Sequence, residues 1–251
     1  MTARTLSFKV FAFWVGILLL PVTIWGQVPP EISQANQLYN QNRFQEAAEI
    51  YERVIAEGKK NGHLYYNLGN TYFRMGNLPK AILNYVKAQT LLPRNEDVEA
   101  NLEYALRQTV DQLDGRKPQA LESILFWVRD LSWSEHRMAL FWINLVFWIA
   151  MAVRLRHRTP ATQSARNFLL AFLAFALVST GLRWHQETRQ SIGVVLPQQI
   201  DVHSGWNDTT MVLFQLHRGA LVSISQEKEN WYEIELSSEK KGWTLKSNIA
   251  G

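Results

Sequence analysis

Residues 62–95 read GHLYYNLGNTYFRMGNLPKAILNYVKAQTLLPRN, and the rest of the chain is organised around them. The stretch divides into two short helices joined by a turn at Gly76, and Pro93 closes the unit. Gly69 and Ala81 are small where the two helices cross, so the backbones can approach closely. Tyr65, Leu68, Tyr72 and Tyr85 fill the space around that crossing.

These residues reproduce the tetratricopeptide (TPR) pattern, which recurs at about 34 residues. Leu68, Gly69 and Tyr72 form its L-G-x-x-Y core, with Tyr65 where Trp usually stands. Ala81 and Tyr85 keep the A-x3-F spacing, and Ala88 follows. Residues 28–61 are a weaker copy. A shift of one repeat aligns Ala35 with Gly69, Leu38 with Tyr72, Asn42 with Gly76, Phe44 with Leu78, Ala47 with Ala81 and Tyr51 with Tyr85. Pro29 and Pro30 open its first helix. After Pro93, Asn95 is a good N-cap, and Glu96 and Asp97 suit the helix dipole. Val98, Leu102 and Leu106 mark a capping helix over 96–110, so the TPR domain covers 28–110. Three repeats are usually needed for a stable array, so this short one is expected to lean on a partner or on a nearby membrane.

At 251 residues the chain has room for one large domain or two small ones, and it contains no cysteine. A disulfide framework, a thiolate metal site and a lipoprotein attachment cysteine are therefore excluded. The net charge is +4 and the pI about 9.3. Residues 1–27 carry +2, residues 28–120 zero, residues 121–191 +4 and residues 192–251 −2. The basic excess lies beside apolar segments, which is a membrane-topology signature and not a nucleic-acid footprint. No nucleic-acid partner is expected.

Residues 1–26 join a basic start to VFAFWVGILLLPVTIWG and read as a signal peptide or an uncleaved signal anchor. Gly26 offers a cleavage point, but Ile24 is not the small residue preferred two places earlier, so both outcomes stay open. Residues 111–136 are a polar linker followed by ALESILFWVRDLSW, either an interfacial amphipathic helix or a buried flanking helix. Two apolar blocks, 137–154 and 167–183, read as a transmembrane hairpin joined by a basic loop, 155–166, holding Arg154 at its border and then Arg156, Arg158 and Arg166. The positive-inside rule puts that loop in the cytoplasm. The TPR and C-terminal regions then lie on the extracytoplasmic side of a bacterial inner membrane. Asn144, costly in lipid, is expected to bond across the hairpin to Ser179 or Thr180.

Residues 192–250 change character. Runs such as GVV, MVLFQL, ALVSI, WYEIEL and GWTLK alternate with turn residues at small-barrel spacing. Alternation in WYEIEL puts Trp231, Glu233 and Glu235 on one, solvated face. The landmarks Val202–Gly205, Leu216–Gly219, Asn230–Trp231, Gly242–Trp243 and the final SNI resemble the bacterial SH3-like domain. Trp206 stands where that family usually has Pro, which puts the usual loop surface in doubt. The expected architecture is multidomain: an all-α TPR solenoid, a two-helix transmembrane hairpin and a small all-β SH3-like barrel.

In this order the modules resemble the BatE-like TPR/SH3 family of the bacterial aerotolerance (Bat) operon. The resemblance implies protein partners of the von Willebrand A-domain membrane class, a MoxR-type ATPase, and a role in stress tolerance. The alternative function is an envelope-stress sensor whose SH3-like domain binds peptidoglycan.

The chain has no phosphate-binding glycine loop, nucleophile elbow or H-E-x-x-H motif, and its six histidines lack ligand spacing. No enzyme, no metal and no cofactor are expected. The best functional constellation is the TPR groove. The helical stripe facing away from Leu68 and Tyr72 holds Tyr66, Asn70, Phe73 and Arg74. One repeat back it holds Asn36, Tyr39 and Asn40, and on the capping helix Tyr104 and Arg107. Asn36 and Asn70 are equivalent, and an amide there can donate to and accept from an extended peptide backbone. The alternative is that these groups pack against the next helix or stand in solvent. On the SH3-like domain, Trp206, Trp231 and Trp243 are the ligand-surface candidates; Trp206 is the better one, because the last two read more readily as core or rim. Membrane lipid is the remaining expected contact.

Overall fold

Asn61, Asn77 and Asn95 each start a helix. Their side-chain oxygens accept from the backbone N–H groups of Leu64, Lys80 and Val98, satisfying donors that a helix start leaves open. The computed structural model describes residues 29–111, 126–189, 191–237 and 240–251. The N-terminal apolar segment and most of the linker expected before the hairpin lie outside these. The helical domain comprises α1 (Pro30–Asn40), α2 (Phe44–Ala56), α3 (Gly62–Arg74), α4 (Leu78–Leu91) and α5 (Glu96–Leu106). The turns α1–α2 and α3–α4 are equivalent: Asn42 and Gly76 both take positive φ, 60° and 72°, the conformation that Asn and Gly tolerate best.

The crossing of α3 and α4 is as close as the sequence implies. A Cβ on Gly69 would lie 2.7 Å from the Tyr85 ring, and Ala81 is fully buried beside it. In the first repeat Ala35 and Ala47 hold the same places with no exposed surface. Glu52, Tyr72 and Lys80 then join three helices. The Tyr72 hydroxyl donates to Glu52 while Lys80 Nζ donates to that hydroxyl at 3.0 Å.

Two long apolar helices follow a five-residue helix, α6 (Phe126–Asp130). They are α7 (Trp133–Arg156) and α8 (Pro160–Arg189). At ~1.5 Å per residue, the 24 residues of α7 extend ~36 Å, against ~30 Å for a bilayer core. None of the apolar window of α7 and only 6% of that of α8 is covered by protein. Both are long and apolar enough to cross a membrane. The expected loop is largely helical: it shrinks to three residues, 157–159, because Pro160 suits the first turn of α8. Asn144 has no hydrogen-bond partner among the described residues. Ser179 Oγ accepts from Trp127 Nε1 at 3.2 Å, and Thr180 donates to Ala176 O. With so short a turn, Asn144 and Ser179 lie at different levels of the hairpin.

The C-terminal domain is antiparallel: β1 (Ser191–Val195), β2 (Gln199–His203), β3 (Val212–His217), β4 (Leu221–Lys228), β5 (Trp231–Ser237), β6 (Lys240–Leu245) and β7 (Ile249–Ala250). The strand order is β3-β2-β6-β5-β4-β1-β7. The five runs read from the sequence fall on strands. The sheet does not close, since β3 and the two-residue β7 stay as edges. Glu233 differs from its expected solvated placement: its side chain is 12% exposed, paired with Lys241 at 3.0 Å and hydrogen-bonded by Ser225.

The short helical array leans on this β domain. Val194 joins the core of the helical domain, with Ile192, Leu221 and Ala250 packed against it. Asp111 accepts the backbone N–H of His217 and lies 3.3 Å from its Nδ1. The helical domain also meets the hairpin, at the end away from the 157–159 turn. Arg183 donates to Thr90 O at 3.2 Å, and Arg94 pairs with Glu135.

Gly219, at the β3–β4 turn, has φ +87°, and a Cβ there would lie 2.8 Å from Thr109 Cγ2. Gly219→Val is therefore expected to cost about 2–5 kcal/mol, from left-handed strain plus the clash. Gly76→Ala, with φ +72° but open space around it, is expected to cost only about 1–2 kcal/mol. Chemical denaturation of the detergent-solubilised chain measures both.

Candidate functional site

The first helix of each repeat and the capping helix, α1, α3 and α5, form one concave face. Two adjoining hollows open on it, of about 180 and 330 Å³. Tyr39 and Asn70 line both, so the hollows are one continuous groove.

The groove floor is an amide ladder. Tyr51, reaching through from α2, donates its hydroxyl to Asn36 Oδ1 at 2.6 Å, and Asn67 Nδ2 donates to the same oxygen at 3.2 Å. One repeat on, Tyr85 donates to Asn70 Oδ1 at 2.8 Å and Asn101 Nδ2 donates to it at 3.0 Å. Asn101 Nδ2 also meets the Tyr66 hydroxyl at 3.0 Å. A carbonyl oxygen has two lone pairs, so each Oδ1 is fully used. The Nδ2 groups of Asn36 and Asn70 have no hydrogen-bond partner among the described residues. At Asn36 and Asn70 the groove therefore offers donors, whereas the sequence reading allowed these amides to donate and accept.

Aromatic edges frame the ladder. Tyr39 meets Phe44 at 5.4 Å, and Phe73 meets Tyr104 at 5.7 Å between ring centroids. The Arg74 guanidinium sits 5.1 Å over the Phe44 ring, and no carboxylate lies within ion-pair distance of it among the described residues. Cation–π contact orients this charge without neutralising it.

Of the nine groove residues read from the sequence, Asn36, Tyr39, Asn40, Asn70, Phe73, Arg74 and Tyr104 line the hollows. Tyr66 stands behind them on Asn101. Arg107 pairs with Glu103 on the surface at 3.5 Å and lines neither hollow. Sequence reasoning missed Asn67, Asn101 and Phe44, and took Tyr51 and Tyr85 for space-filling alone. The repeat offset between Asn67 and Asn101 was the available signal.

On the β domain, Trp206 is 48% exposed, while Trp231 and Trp243 are 7% and 8% exposed. Trp243 meets Trp206 edge-on at 5.7 Å, and Lys228 Nζ lies 3.1 Å over the Trp206 ring.

The tetratricopeptide-repeat family model matches residues 64–95 of this chain. No curated protein matches it.

Burial pushes the Tyr51 hydroxyl up to about 12, and burial likewise raises Tyr85. The unfolded chain releases these protons near the ordinary value, ~10. From about pH 10 to 12 the folded state holds protons that the unfolded state has lost, so stability falls as pH rises through that window. Below about pH 10 the contribution is fully present. Tyr51→Phe is expected to flatten the slope and to cost about 1 kcal/mol at neutral pH through the lost hydrogen bond. Urea unfolding across this pH range tests both.

Proposed function

We propose that the chain is a membrane-anchored scaffold, not an enzyme, whose TPR groove holds an extended segment of a partner protein on the extracytoplasmic side. One observation carries the reading: two equivalent asparagines, one repeat apart, line the groove with their oxygens already taken and their N–H donors unpaired among the described residues. An extended backbone offers the complementary row of carbonyls. Packed helix axes lie roughly 8–10 Å apart, and a polyproline-II segment advances ~3.1 Å per residue with three residues per turn. Asn36 and Asn70 thus suit carbonyls three residues apart on one side of such a segment. Arg74 favours an acidic side chain or a terminal carboxylate at that end. Tyr39, Phe73 and Tyr104 supply rigid apolar contact.

The anchoring half rests on α7 and α8 and on their charges. Arg154, Arg156, Arg158 and Arg166 gather at the turn end of the hairpin. The helical domain meets its other end through Arg94–Glu135 and Arg183–Thr90, and the β domain follows α8 at that end. With the basic end in the cytoplasm, both domains are extracytoplasmic. The small groove suits a partner that is itself held in the membrane, which reduces the search to two dimensions. Module order further supports an SH3-like identity for the β domain and a place in a Bat-type assembly.

The Asn36→Asp, Asn70→Asp double variant keeps both acceptors for Tyr51, Tyr85 and their amide partners but replaces the free donors with acceptors. Capture of membrane partners on immobilised chain is expected to drop about ten- to a hundred-fold, with the unfolding midpoint little changed. Unchanged capture by this variant and by a Tyr66, Asn70, Arg74 triple-alanine variant would dismiss the groove. A phosphatase fused after Gly251 reports sidedness: activity outside the cytoplasm is expected, and its absence there reverses the orientation.

A further inference from the structure

One end of the β domain is docked and the other is free. At the docked end, Arg218 N–H donates to Gln198 O at 3.1 Å, Gln199 pairs with His217, and Gly219 lies against Thr109, Leu78 and Ile82. The β2–β3 hairpin runs from there to its loop, residues 204–211, at the opposite end. Strand β4 likewise starts at Leu221 beside the docked end and finishes at Lys228. The two tips meet, with Lys228 over Trp206 and His203 edge-on to Trp231 at 5.7 Å.

Two routes place this free end next to the hairpin. Ser191, paired with Ile224 on the way to the tip, is separated from the last residue of α8 by Gln190 alone. Along α4, the docked end touches Leu78 and Ile82 in the first turns, whereas Thr90, in the last, accepts from Arg183 of the hairpin. The free end therefore points to the end of α4 that meets the apolar helices.

That end is unusually apolar for a loop. Trp206 is 48%, Met211 69%, Val212 43% and Leu213 44% exposed. A bulge opposite Val202 and His203 inserts Leu213 as an extra residue, which breaks the alternation that would bury every second side chain. The nearby charges are modest. Glu227 is neutralised by Lys246, leaving Asp208, Lys228 and Glu229, a net charge of −1. Attraction to anionic headgroups is thus absent, and any membrane contact here depends on aromatic and apolar insertion. Trp with Lys at its face is the pairing that interfaces favour, because the ring is amphipathic and the ammonium can reach headgroup oxygens.

We propose that this tip, Trp206 with Met211, Val212 and Leu213, rests in the lipid headgroup layer beside the hairpin. It forms a further membrane contact, which fixes the height and tilt of the groove that the helical domain carries. The proposal depends on reading α7 and α8 as membrane-spanning.

Because the chain has no cysteine, single spin labels can be placed at Met211→Cys, at Gln198→Cys on the docked end, and at Ile149→Cys within α7. In phosphatidylcholine nanodiscs, collision with oxygen against collision with a water-soluble nickel chelate reports lipid or water. Lipid-like values are expected at 149 and 211 and water-like values at 198, with several-fold higher oxygen preference at 211 than at 198. Addition of anionic lipid is expected to leave 211 unchanged, and Trp206→Ser is expected to move the 211 label towards water. Lipid-like 149 with water-like 211 overturns the proposal while leaving the membrane reading intact. A 211 label shielded from both reagents also overturns it, since the tip then packs on protein, as does shielding that appears only when cell-wall fragments are added. Water-like 149 removes the membrane reading, and this proposal with it.

Discussion

The ring of Tyr85 lies on Gly69, and the rest of the helical domain depends on that contact. A side chain at 69 would hold α3 and α4 apart, because the ring atoms already sit 2.7 Å from where its Cβ would be. Close approach carries the Tyr85 hydroxyl through the layer of second helices to the concave face, where it meets Asn70. One residue therefore sets the helix crossing and the polarity of the groove. Tyr51 and Asn36 repeat the device, with Ala35 as the small partner. Core packing and groove chemistry are coupled because a tyrosine has an apolar body and a polar tip.

A two-repeat array has little core to share between its units, and here the deficit is made up within the chain. Val194 enters the helical core, while Asp111 and Gly219 shape the seam where the β domain docks. The same domain is rooted at the end of α8. Groove, sheet and hairpin thus form a connected body in which the groove cannot reorient freely relative to the apolar helices. Such rigidity lowers the entropy lost when an extended partner is held.

Local patterns were legible because local physics generates them. The start of α5 followed its Asn95 cap, turns followed Asn42 and Gly76, strands followed short β-rich runs, and the apolar blocks matched α7 and α8. Seven of the groove residues followed from helical periodicity and the repeat offset. The errors arose where a distant residue decides. Arg107 shares the stripe but is drawn to Glu103. Glu233 alternates outward yet is covered by Lys241 and Ser225. The basic loop became helix because Pro160 starts α8 well before the apolar block begins.

By itself the sequence determined that two helical repeats, two apolar helices and a run of short strands follow one another, since each is encoded by spacing within a few tens of residues. Only the tertiary structure decided what the groove offers. An asparagine donates and accepts equally well on paper. Which half is left free depends on Tyr51, Tyr85, Asn67 and Asn101 arriving from other helices to occupy the oxygens. It also decided that the short array leans on its own β domain, because that contact joins surfaces more than a hundred residues apart, such as Asp111 and His217, which no local period records.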